Sequence, residues 1–237
     1  MKDRIQIKMQ AKETMKNQYG MSIAVFIIMT IVSMIITKVG EGDTIVFQNF
    51  GYVLRYGIDS AHIIYQPGNQ LLGWLLSIFV MAPLSVGVGY HFLCVYRGQF
   101  PPVSTAFDKG FANNYLRKVG GVAWMWLWTF LWSLLLVIPG IIKFFSYAMT
   151  PYILADYPNV QAKEALKISM RMMQGHKADL FILGLSYIGW YILWGLTFGL
   201  LLIFYVGPYS QCAYAGFYQE RMAQCLADGT VREEELV

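Results

Sequence analysis

The side chains that could do chemistry in this sequence are few and scattered. His91 lies six residues before Arg97 at the end of a long uncharged stretch, and Lys143 lies three residues after Pro139-Gly140 inside another. An ionisable group at membrane depth costs on the order of 3 kcal/mol to insert, so each is a functional candidate by default. The spacing nevertheless favours plain roles. Lys143 is near enough to a chain reversal to snorkel its ammonium to the outer interface, and His91 is expected to pack and hydrogen-bond rather than to ligate. His62, His91 and His176 fall on different expected sides or depths, which gives no metal cluster. Cys94, Cys212 and Cys225 show no ligand spacing and read as free thiols. An intramembrane enzyme would have to assemble Ser146, Tyr147, Thr150, His91 and Lys143 within hydrogen-bond reach, and no local spacing does so. The HExxH, GxSxG, P-loop and GxGxxG patterns are absent, so no catalytic residue, cofactor or metal is expected. No Asp or Glu lies deep in an apolar stretch, which disfavours transport coupled to a membrane carboxylate.

The more regular signal is cationic. Arg4, Lys8, Lys12 and Lys16 recur every four residues beside Ile5, Met9 and Met15, which on a helix gives a basic stripe next to an apolar one. Residues 159–177 repeat the pattern: Asn159 can cap, Lys163, Lys167 and Arg171 recur at four with Lys177 following, and Val160, Ala165, Leu166, Ile168, Ser169, Met172 and Met173 supply the other face. Both segments suit a helix lying on an anionic inner leaflet, so these eight cations are candidate lipid-headgroup contacts. A third such helix is possible at 100–118.

The elements that must carry these residues follow from composition. Only 14% of the chain is charged and 57% is hydrophobic, against about a quarter charged in soluble domains, which excludes a soluble enzyme, a disordered chain and a coiled-coil rod. A net charge of +4 is too mild for a nucleic-acid binder. Apolar runs predict transmembrane helices at 21–37, 71–96, 119–138, 141–157, 180–197 and 199–219, an all-α fold of six spans in three hairpins. Pro139-Gly140 and the run 195–199 mark the tight turns of the last two hairpins. Fifteen Lys and Arg fall in 1–20, 97–118, 156–179 and 220–237, whereas only Lys38, Arg55 and Lys143 fall between. That asymmetry places both termini in the cytoplasm of a multi-pass protein of the cytoplasmic membrane. The first span reads as a retained anchor, because no small-residue cleavage pattern follows it. Residues 38–70 form an extracytoplasmic loop, and the acidic tail at 220–237 is expected to be solvated and mobile. Pro83, Pro151 and Pro208 each fall inside the second helix of a hairpin, where they predict kinks. Together with the amphipathic lead-ins they suggest three related units, near 1–96, 97–157 and 158–220.

From about Trp128 to Glu220 the sequence resembles a known family. The pieces that carry the resemblance are Leu131-Trp132-Ser133, the run from Ile138 through Pro139 and Gly140 to Lys143, Ser146-Tyr147, Thr150-Pro151-Tyr152, the helix from Glu164-Ala165 to Ser169, Gly175, Leu185-Ser186, Gly189-Trp190 and Pro208-Tyr209. The family is the bacterial integral-membrane group catalogued as domain of unknown function 975, found mainly in Gram-positive bacteria. The resemblance implies the architecture and assigns no activity. The function expected from sequence is a non-enzymatic membrane module that binds or organises lipid, or another membrane protein, without nucleic acid. The alternative is a transporter or export accessory with a polar cavity between Pro-kinked helices.

Overall fold

The computed structural model describes residues 3–41, 69–112, 114–190 and 200–236, and among them the chain is helical with no strand. The helices are α1 (Arg4–Lys16), α2 (Tyr19–Glu41), α3 (Gln70–Leu76), α4 (Ala82–Tyr96), α5 (Ser104–Phe111), α6 (Tyr115–Leu135), α7 (Val137–Tyr147), α8 (Thr150–Asp156), α9 (Ala162–Met172), α10 (Lys177–Leu185) and α11 (Gly207–Ala227). Among the described residues three stretches are long and apolar enough to cross a membrane, Tyr19–Gly40, Gln70–Tyr96 and Val137–Asp156. They match the expected spans at 21–37, 71–96 and 141–157. The expected span at 119–138 overlaps the 21-residue α6, which is not among these three stretches. α10 and α11 occupy parts of 180–197 and 199–219, and the turn assigned to 195–199 lies outside the described residues. So does most of the 38–70 loop.

The chain divides into two compact units, residues 1–29 with 82–237 and residues 30–81. Within 30–81, glycine brings two helices into backbone contact: a Cβ on Gly73 would stand 2.7 Å from the Gly40 Cα.

The larger unit is organised by its prolines. Pro83, Pro151 and Pro208 each occupy the second position of an α-helix, α4, α8 and α11. Each follows an irregular turn: π-helical at Ser77–Met81, a non-helical step at 148–149, and π-helical at Leu202–Val206. A proline ring clashes with the carbonyl four residues earlier and lacks an N–H, and a widened or broken turn removes both conflicts. The segments restarted in this way build the core, with Phe92, Leu93, Ile153, Leu154, Phe217 and Tyr218 all fully buried. The lead-in helices pack on these segments: α5 on α4, α9 on α8 and α6, and α1 on α11 and α4. At the α4–α5 crossing the backbones touch, because a Cβ on Gly87 would come within 1.7 Å of the Ala106 carbonyl oxygen.

Two local expectations change. The reversal between α6 and α7 falls at Leu136, which is extended (φ −159°, ψ 142°), and not at Pro139-Gly140. Pro139 sits in the first turn of α7, where a missing N–H is harmless, and Gly140 is needed because a Cβ there would meet the Ser133 hydroxyl at 2.3 Å. The tail is docked: α11 runs on to Ala227, Val231 and Leu236 are buried, and Arg171 forks onto Glu235 while donating to the Thr230 carbonyl at 3.2 Å. Two apolar side chains and one ion pair outweigh the solvation of an acidic segment.

Candidate functional site: apolar cavity and cationic aromatic cluster

A cavity of about 560 Å³ lies among α6, α7, α8, α10 and α11. α6 contributes Met125, Trp126 and Thr129, α7 and the following turn Phe144, Phe145, Ala148 and Met149, and α10 Leu180, Phe181, Gly184 and Leu185. Pro151, Tyr152, Ile188 and Tyr214 complete the lining. No carboxylate, ammonium or guanidinium is among these residues. The hydroxyl of Thr129 donates to the Met125 carbonyl of its own helix at 2.8 Å, so it is not turned to a ligand. Gly184 keeps the wall open, since a Cβ there would stand 3.4 Å from the Tyr214 hydroxyl.

Beside the cavity lies an aromatic cluster. Tyr187 is fully buried, edge-on to Tyr209 at 5.5 Å and to Tyr214 at 6.4 Å, and Tyr205 bridges Tyr209 to Trp190. Over Tyr187 sits the ammonium of Lys8, 4.6 Å from the ring centroid and donating to the Ser186 hydroxyl at 3.1 Å. Burial lowers the Lys8 pKa from its ordinary value. The Tyr209 hydroxyl donates to the Lys8 carbonyl at 3.2 Å, which pins α1 to α11.

The basic stripe of α1 is therefore divided. Ile7, Ala11 and Met15 form the face packed into the protein, and Arg4 and Lys8 lie at its edge. Ile5 and Met9 are 65% and 58% exposed and share the outward face with Lys12 and Lys16. Sequence periodicity found an amphipathic helix and assigned its apolar stripe to Ile5, Met9 and Met15, of which only Met15 lies on the packed face, because both stripes repeat at four and only tertiary contact separates them. α9 differs. Its apolar face, Ala165, Leu166, Ile168 and Met172, is buried against protein. Lys167 pairs with Glu164 at 2.7 Å and Arg171 with Glu235, leaving Lys163 and Lys177 with no ion pair among the described residues.

Several other cations have tasks that sequence reasoning missed. Arg117 donates to the carbonyls of Leu154, Tyr157 and Val160, closing the C-terminus of α8. Lys118, 6% exposed, donates to the Ala112 carbonyl at 2.6 Å beyond the end of α5. Buried Arg221 donates twice to the Met172 carbonyl that ends α9. Orphan carbonyls at a helix C-terminus attract cations, but for Arg117 and Arg221 the acceptor helix is remote in sequence and leaves no local pattern. Arg97 grips both oxygens of Asp156 at 2.9 and 2.8 Å and holds Gln219 through Nε at 2.8 Å, tying α4, α8 and α11 together.

The candidate chemical residues do not converge. Lys143 lies 3.9 Å from the Met170 sulfur and faces the Trp132 and Tyr147 rings, so it is held against protein instead of reaching outward. The Ser146 hydroxyl donates to its own helix at Ile142, and the Ser146 carbonyl accepts from Ser169 at 2.8 Å. Thr150 is buried in the core, and His91 is buried edge-on to Phe92. Cys94, Cys212 and Cys225 are free and buried, and no group of three or more metal-ligating side chains occurs among the described residues.

Comparison with curated proteins and with solved structures gives no match. The family model described as "Protein of unknown function (DUF975)" matches residues 113–224, the stretch from the start of α6 to near the end of α11, and this part of the chain is similar to that family.

Proposed function

We propose that the protein is a non-enzymatic membrane module that holds a membrane lipid, with one acyl chain in the cavity of α6, α7 and α10. The observation that carries this reading is the lining: about 560 Å³ of space walled mostly by aliphatic and aromatic side chains, with no carboxylate, ammonium, guanidinium or imidazole among the lining residues. The volume lies within the range of small-molecule sites. An empty apolar void forfeits dispersion contacts on every wall, and in a bilayer the species at hand to restore them is a hydrocarbon chain. The outward face of α1, with Ile5 and Met9 beside Lys12 and Lys16, suits the interface of an anionic leaflet, and Lys163 and Lys177 add cations available to headgroups. A transport pathway for polar solutes would need polar lining, and this cavity does not supply it.

The test is lipid retention. Gly184→Leu and Ala148→Phe place side chains into the cavity, and native mass spectrometry of the detergent-purified protein counts lipids that stay bound. Fewer retained lipids in both variants, with unchanged helicity, is the expected outcome. Wild-type retention in both would remove the reading.

A further inference from the structure

The walls of the cavity explain accommodation of a chain but not preference for a lipid. Inside a bilayer an acyl chain is already in an apolar solvent, so moving it into the protein gains little from the hydrophobic effect. Selectivity must come from the headgroup, and the headgroup needs polar partners beside the cavity.

Such partners exist on α1. Arg4 and Lys8 are one turn apart and so project to the same side of the helix. Lys8 reaches the Ser186 hydroxyl at 3.1 Å, and Ser186 directly follows Leu185 in a stretch where Gly184, Leu185 and Ile188 line the cavity. One terminal nitrogen of Arg4 is buried with no hydrogen-bond acceptor. Neither cation has a carboxylate partner among the described residues: Asp3 accepts from the Arg4 backbone as the cap of α1, and Asp179 on α10 pairs with His176 at 2.8 Å. Elsewhere in the protein the guanidinium groups have acceptors: Arg97 pairs with Asp156 and Arg171 with Glu235, and Arg117 and Arg221 donate to backbone carbonyls. Two half-buried cations one turn apart with no carboxylate between them leave an excess of positive charge at this edge of α1.

We infer that Arg4 and Lys8, the latter positioned by Ser186, form a binding site for the phosphate of an anionic membrane lipid whose chain lies in the adjoining cavity. The inference rests on the lipid reading above and adds the headgroup class. A phosphodiester supplies the missing charge and accepts from the guanidinium and the ammonium, while Ser186, whose hydroxyl donates to the Leu183 carbonyl at 2.6 Å, accepts from Lys8 and positions it.

Native mass spectrometry of the full chain with phosphatidylglycerol and phosphatidylcholine of identical acyl chains tests it. Each cation near an anionic headgroup contributes roughly fivefold in affinity, so Arg4→Gln with Lys8→Gln should erase a preference of about twentyfold for phosphatidylglycerol while leaving phosphatidylcholine retention intact. Arg4→Lys with Lys8→Arg should keep the preference, which separates charge from damage to the fold. Gly184→Leu should lower retention of both lipids without changing their ratio, so a failure of the cavity reading shows in that variant alone. The inference is overturned if the double Gln variant keeps the wild-type ratio. It is equally overturned if Lys12→Gln with Lys16→Gln removes the preference instead, which would assign it to the outward face. Displacement of phosphatidylglycerol by inorganic phosphate alone would also refute it, by showing a site for the free anion.

Discussion

Asp156 offers the sharpest test of how the larger unit is held together. Its carboxylate receives two bonds from Arg97, at 2.9 and 2.8 Å, and one from the Tyr218 hydroxyl at 3.2 Å, and Tyr218 in turn stacks on Tyr152 with centroids 5.3 Å apart. The side chains are 10% and 29% exposed for Asp156 and Arg97, so the pair is largely shielded from solvent. Removing one member of a shielded pair strands the other, at a cost of about 3 kcal/mol, reduced from the fully buried range because Arg97 keeps some contact with water. Asp156→Asn preserves shape and one acceptor and should lose roughly 2 kcal/mol, and Arg97→Gln a similar amount. For a chain of this size that corresponds to a fall in Tm of roughly 4–8 °C in thermal unfolding of the detergent-solubilised protein. The double variant decides the issue, because stranding disappears when both charges are gone. It should be about 1–2 kcal/mol more stable than the sum of the single effects predicts. Additivity within about 0.5 kcal/mol would show that the two residues do not act as a pair, and the reasoning would fail.

Two further predictions concern glycine and lysine. Gly87→Ala drives a Cβ into the Ala106 carbonyl, which is backbone and cannot rotate away, so a loss above about 4 kcal/mol or failure to accumulate folded protein is expected. Gly120→Ala in α6, where a Cβ would meet nothing within 4 Å, should be neutral or stabilising by up to about 1 kcal/mol in the same assay; equal damage at both sites would refute the close-approach argument. Lys118 is buried, and that burial, followed by repulsion from Arg117 and Lys109, pushes its pKa down from 10.5 to about 8. Between these values the unfolded chain binds more protons than the folded one, so the stability of the wild type relative to Lys118→Met should rise as pH goes from about 8 to 10.5. A pH-independent difference in denaturant titrations would contradict it.

By itself, the sequence determined that the protein is helical and apolar, and where its principal helices run. These are local properties: a run without charge, a four-residue recurrence, and a proline that no unbroken helix accommodates. The positions of Pro83, Pro151 and Pro208 were legible for that reason, and the structure adds that each opens a helix after an irregular turn. The cavity was not legible. Its walls come from five helices between Met125 and Tyr214, and each wall residue reads locally as ordinary apolar packing.

Tertiary structure alone decided what each charge does. Arg117 and Arg221 look in sequence like members of a cytoplasmic cationic excess, yet they close the ends of helices far from them in the chain. Arg4, Lys8, Lys12 and Lys16 form one stripe in sequence and two faces in the fold, because Ile7, Ala11 and Met15 find a partner in α11 and turn the helix. The physical reason is the same in each case. Helix formation is set by neighbours within a turn or two, whereas a carbonyl to cap, a carboxylate to pair with or a surface to bury against is supplied by residues remote in the chain.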